Sequence, residues 1–215
     1  MKVAHRRAAI SVHGTFFYIG LGAGLAAACG LRPFLPLLLA GALGSAHALG
    51  VGFGHDSFDF LQSAWWLVTV AVLLVLSYLA QLRAGLSPLA APGRPTPLSS
   101  ALTGIACGAG ALLFAGTLSA HHDAWWPGIV GGLAAALLAQ AAAGPVIAGA
   151  RTRLTDRASR EALTVYLDAA AVVVALLVAL LHPLGYVALA VLAWFLLRRR
   201  RRAGERYAGL RILGR

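Results

Sequence analysis

The sequence predicts an all-α fold, a polytopic bundle of transmembrane helices with about six crossings. Three observations carry that prediction. The composition is 60% hydrophobic and only 12% charged, with a mean hydropathy of +0.79, whereas roughly a quarter of the residues in soluble domains are charged. Long apolar runs alternate with short polar segments. Of the 18 Lys and Arg residues, all but Arg32 lie in those segments or at the termini. The net charge of +11 is thereby distributed as orientation signals are, which argues against a nucleic-acid partner. The two cysteines, Cys29 and Cys107, fall inside apolar runs, so no disulfide framework or redox compartment can be read from them.

Residues 1–12 form a basic segment expected in the cytoplasm, and residues 13–202 a single transmembrane domain. Ala26-Ala27-Ala28-Cys29 resembles a lipoprotein cleavage box. Ala26 stands where a large aliphatic residue is expected, and the apolar run resumes after Arg32, so the segment is expected to be retained. Residues 16–49 would make a helix of about 51 Å, too long for a hydrocarbon core of about 30 Å unless broken or tilted. Pro33 and Pro36 supply a break, because each removes a backbone donor and crowds the preceding turn. The stretch reads either as one broken crossing or as a re-entrant pair.

Further apolar runs cover 61–82, 101–120, 126–150, 162–181 and 183–197. In lipid each must be helical, since its backbone polar groups have no water to bond. The last is short and relies on arginines that snorkel at one end and the His182-Pro183-Leu184-Gly185 turn at the other. Lys and Arg in successive connections number three (1–12), none (50–60), two (83–100), none (121–125), four (151–161), none (the His182 turn) and eight (198–215). With 16–49 taken as one net crossing, this alternation gives six crossings and both termini in the cytoplasm. Trp65, Trp66, Trp125 and Trp126 then mark outer helix ends, and Phe16, Phe17, Tyr18, Trp194 and Phe195 inner ones. Residues 203–215 make a basic cytoplasmic tail.

The Pro-rich linker 83–100 divides the domain into halves, 13–82 plus 101–120 and 126–200. Between them, Gly20 to Ala42 and Gly128 to Ala150 align without gaps, with 9 of 23 positions identical. Composition accounts for part of this. If it is a duplication, the charge-derived topology makes it a three-plus-three inverted repeat of transporter type.

Gly-Leu-Arg-Pro-Phe-Leu-Pro-Leu-Leu (Gly30 to Leu38), the small-residue helix through Gly144-Pro145-Val146-Ile147-Ala148-Gly149, and a terminal helix pair ending in an Arg cluster together resemble the bacterial membrane family called domain of unknown function 4126, over roughly residues 20–202. The chain departs from the family pattern at Ser77 to Leu82, where an acidic, Lys-containing stretch is usual, and near Asp168, where a pair of acids is usual. The resemblance implies an integral membrane protein and brings no activity with it.

Arg32 is the sharpest signal. A cation at a helix break is tolerated only where protein or a water-filled cavity surrounds it. It reads as part of an anion or solute site with Pro33 and Pro36, as a structural partner of Asp168 pinning two helices, or as a snorkelling residue. Asp168 is the only acid inside an apolar run, about 10 Å deep by helical rise from Glu161. Gln140 stands at the repeat position of Arg32 and either lines the same site or bonds between helices. His47, His55, Asp56, Asp59, His121, His122, Asp123 and His182 gather in the outer connections. Imidazole and carboxylate suit a divalent metal, but no spacing matches a metal signature, and solvated polar loops are the plainer explanation. The GxxxG pairs Gly20/Gly24, Gly104/Gly108 and Gly128/Gly132 permit close helix approach, within the bundle first and in a homo-oligomer second. Arg198 to Arg202 reads as a stop-transfer anchor on anionic lipids.

The expected function is that of a small transporter- or channel-like protein of the bacterial inner membrane. The alternative is a non-catalytic membrane scaffold or assembly factor. No catalytic constellation and no cofactor motif is legible, so an enzyme is not expected.

Overall fold

The computed structural model describes residues 2–53, 57–84, 97–120, 124–154 and 156–210. The described residues form seven α-helices and no strand: α1 (Lys2–Leu31), α2 (Phe34–Ser45), α3 (Ala64–Ala84), α4 (Pro97–Ser119), α5 (Trp126–Arg153), α6 (Arg157–Leu180) and α7 (Leu184–Leu210), with a 3₁₀ turn at Asp59–Gln62 before α3. Windows in α1, α3, α4, α5 and α6 are long and apolar enough to cross a membrane. The chain is a helical membrane bundle. Val68, Val72, Leu76 and Leu79 on α3 and Val165, Val173 and Leu177 on α6 are exposed, as lipid-facing side chains are.

The bundle is built around α1, whose residues 20–30 are buried without interruption. A helix buried on all sides carries no amphipathic stripe, and here the run consists of Gly, Ala, Leu and Cys alone. Such small side chains let neighbouring backbones approach where no hydrophobic force drives helices together in lipid. A methyl group added at Gly24 would lie 2.5 Å from Val178 and 2.8 Å from the Cα of Gly185.

The helix ends where the sequence removes its donors. The last bond of α1 runs from the Arg32 N–H to the Ala28 carbonyl, 3.1 Å. Pro33 follows as N-cap of α2, and Pro36 sits in the first turn of α2, where a missing N–H costs nothing. The chain then reverses. Gly20 on α1 packs against the His182 carbonyl, 2.6 Å from a carbon added there, and Gly50, beyond α2, packs against the same residue, 3.4 Å from His182 Nε2. Arg32, between them, meets Asp168. Residues 16–49 are therefore a re-entrant hairpin with both ends on the face of the His182 turn, not one net crossing. Asp168 lies about 10 Å along α6 from Glu161 and about 18 Å from Leu180, so the hairpin tip stops inside the bundle.

Two expectations drawn from the single crossing change with it. Phe16 is not at the face opposite the outer tryptophans: its ring stacks on Tyr186, centroids 4.6 Å apart, one turn beyond His182, and Tyr186 donates its hydroxyl to the Phe16 carbonyl at 2.8 Å. The N-terminal helix thus enters on the face that carries the Phe58–Trp125 contact, and the charge alternation does not sort the faces completely. The second concerns the repeat. Along α4, Gly22 of α1 lies against Thr117 and Gly110 against Ala26, while Gly128 of α5 lies against Ala115 and Gly132 against Gly110. Both α1 and α5 run antiparallel to α4 and hence parallel to each other, so the two matching segments are not inverted copies. Past residue 32 they diverge: α2 turns back, whereas α5 continues through Pro145 to Arg153.

At the start of α6, the Asp156 side chain caps the helix by accepting from the Ser159 N–H at 3.2 Å. Asp168, Ala171, Ala175 and Ala179 recur at helical spacing and are buried, so the periodicity of α6 aims Asp168 into the bundle.

Candidate functional site: a cavity at the hairpin tip

A half-open cavity of about 630 Å³ adjoins the hairpin tip. Its size is within the range of about 300–1,000 Å³ usual for small-molecule sites. Arg32 and Pro33 of the tip, Tyr78 of α3, Thr103 of α4, Gln140 of α5 and Asp168 of α6 all line it. Arg32, Pro33, Gln140 and Asp168 are thus brought together, although they are spread over 137 positions of sequence. Pro36 is buried in the first turn of α2 and does not line the cavity; its part is the break itself.

Arg32 Nε donates to Asp168 Oδ1 at 2.7 Å, with both side chains largely buried. Tyr78 donates its hydroxyl to the other carboxylate oxygen, Oδ2. Arg32 Nη2 makes a long contact of 3.5 Å with the Thr164 carbonyl, one turn earlier on α6. Each carboxylate oxygen is therefore held by a different element, and the pair joins the tip, α3 and α6. In low dielectric an ion pair survives only when further hydrogen bonds complete it, and Tyr78 provides one. Gln140 donates to the Thr103 carbonyl at 3.3 Å and contacts Cys107 Sγ at 3.9 Å, so it both bridges α5 to α4 and lines the cavity.

Tyr78 was not singled out from the sequence. Ser77, Tyr78 and Gln81 cluster within five positions at the end of a mostly apolar span, and all three line the cavity. That clustering was the available signal, since polar side chains in a membrane helix face the bundle interior.

The remaining candidates lie apart. Gly20 and Gly24 pack on the α6–α7 turn and Gly128 and Gly132 on α4, while nothing lies within 4 Å of a carbon added at Gly104 or Gly108. His55, Asp56, His121, His122 and Asp123 lie outside the described residues. Asp59 accepts a hydrogen bond from Gln62 in the turn before α3, His47 is exposed in a left-handed conformation with φ 49°, and His182 borders Gly50. Among the described residues no three His, Cys, Asp or Glu gather as a metal site would require.

No curated protein and no solved structure matches the chain. A family model described as domain of unknown function (DUF4126) matches residues 19–202, a span that takes in all but the first residues of the hairpin, the cavity and Arg198 to Arg202. With most of its length covered by that match, the chain belongs to the DUF4126 family.

Proposed function

We propose that this protein is a small transporter-like membrane protein that binds a polar solute at the hairpin tip. The observation that supports this most is the cavity itself, half-open and reaching a charged pair in the interior. A helix pair that only braced the fold would be packed to density around its buried charges. A hairpin that stops inside the bundle also presents helix ends and freed carbonyls at depth, a construction suited to solute sites. We assign the face opposite the His182 turn to the cytoplasm of a bacterial inner membrane, because linkers 83–100 and 151–161 carry two and four arginines. In this arrangement Arg198 to Arg202 anchor to anionic lipid headgroups.

The test is water access. With Cys29 and Cys107 replaced, Ser77→Cys and Gln140→Cys should react in membranes with a membrane-impermeant thiol reagent. Protection of both positions from reagent applied at either face would overturn the reading. A scaffold or assembly role is the second reading, favoured by the bare α4 face at Gly104 and Gly108, where a partner helix or a second copy could approach closely. Efficient cross-linking of Gly108→Cys between copies would support it.

A further inference from the structure

Within the cavity the charges are sparse and balanced. Asp168 is faced by Arg32 from the hairpin tip and Tyr78 from α3; α4 and α5 present only the uncharged Thr103 and Gln140, and α6 itself the Thr164 backbone. No other Asp, Glu, His, Lys or Arg lines the space among the described residues. Arg32 meets the carboxylate through Nε, and Nη2, the other prong of that edge of the guanidinium, makes the long Thr164 contact. The opposite edge, Nη1 with Nη2, can also bind carboxylates and phosphates with two parallel hydrogen bonds, and the Nε contact does not commit it to Asp168.

We propose that the cavity binds a monovalent anionic group on Arg32 in exchange for Asp168, and that the displaced carboxylate takes up a proton. This rests on the solute-site reading above. The charge balance requires the proton: Arg32 with ionised Asp168 is neutral, an added anion would make the site net negative in a low-dielectric interior, and one proton from water bonded to a carboxylate oxygen restores neutrality. The ion pair breaks, an anion–guanidinium pair forms, and the new carboxylic acid keeps a hydrogen-bond partner in Tyr78, whose hydroxyl can donate or accept. Anion and proton therefore bind together, and by linkage each favours the other. The apolar side chains beside the polar ones, Leu74, Leu102 and Ile147, fit the anionic head of a lipid as well as a free organic anion.

The experiment uses the full chain in phosphatidylcholine nanodiscs, with dimethyl phosphate and methanesulfonate as probes because neither titrates near neutral pH. Expected are binding that tightens about tenfold or more from about pH 8 to about pH 6, and uptake of about one proton per anion in weak buffer. D168N should bind with affinity independent of pH, whereas R32Q should not bind and R32K should bind more weakly. If phosphatidylglycerol in the nanodisc competes with the probes, the source is a lipid headgroup; if it does not, the source is a soluble anion. Native binding without pH dependence, an unchanged pH slope in D168N, or no binding of either probe or of phosphatidylglycerol overturns the proposal. Should that occur while Ser77→Cys and Gln140→Cys still label, the cavity reading survives and only the anion–proton exchange falls.

Discussion

Replacing Asp168 with Ala would leave Arg32 buried and unpaired, which costs about 3–5 kcal/mol when one member of an interior ion pair is removed. Thermal unfolding in detergent should show this as a large loss for Asp168→Ala, a smaller one for Asp168→Asn, and recovery in the double variant Arg32→Met/Asp168→Leu. Equal effects in all three would mean that the pair holds nothing. Tyr78→Phe removes the donor to Oδ2 and should cost on the order of 1 kcal/mol, the scale of interhelical hydrogen bonds in membranes. At this scale much was legible: a lone cation and a lone acid in apolar runs must find partners, and they find each other. Tyr78 was not legible as the third member, because a tyrosine in an apolar helix is equally an interfacial residue until its helix is placed against α6.

Glycines separate the packed helices from the open ones. At Gly185 an added carbon would collide with the Gly20 carbonyl and sit 3.1 Å from the Gly24 nitrogen, while at Gly108 it would meet nothing. Gly185→Ala should therefore destabilise by more than about 2 kcal/mol, a value typical of forced backbone shifts. Gly108→Ala should be neutral or stabilise by up to about 1 kcal/mol through helix propensity. Urea titration of purified protein would check both, and equal destabilisation would contradict the packing. The sequence flagged Gly20/Gly24 and Gly104/Gly108 as the same motif. Only the bundle decides which pair has a neighbour, since GxxxG permits close approach without compelling it. The break at Pro33 and Pro36 was legible as a break, because two missing donors three residues apart end a helix wherever it sits. Its angle was not.

For the whole molecule the consequence is topological. Gly14→Cys on α1 and Ala46→Cys after α2 should both be labelled by an impermeant reagent applied to the same face. Labelling from opposite faces would restore the single broken crossing and refute the hairpin. Loop charges pointed the other way because Lys and Arg counts report where connections prefer to lie, one segment at a time. The place of α1 is set instead by some eleven consecutive buried residues and by the pairing of Arg32 inside the protein, which a count of loop residues does not include. By itself the sequence determined that this chain lives in lipid as apolar helices, that its first long segment is broken at Pro33, and that Arg32 and Asp168 are the two opposite charges within the apolar runs. Those conclusions follow from composition, donor loss and the cost of unpaired charge, all local to the residues concerned. Only the tertiary structure decided that the broken segment turns back, that α1 and α5 run in parallel, and that the charged pair borders a cavity. These depend on which helices pack together, and in a chain of small, interchangeable apolar residues that choice is made by surfaces fitting in three dimensions.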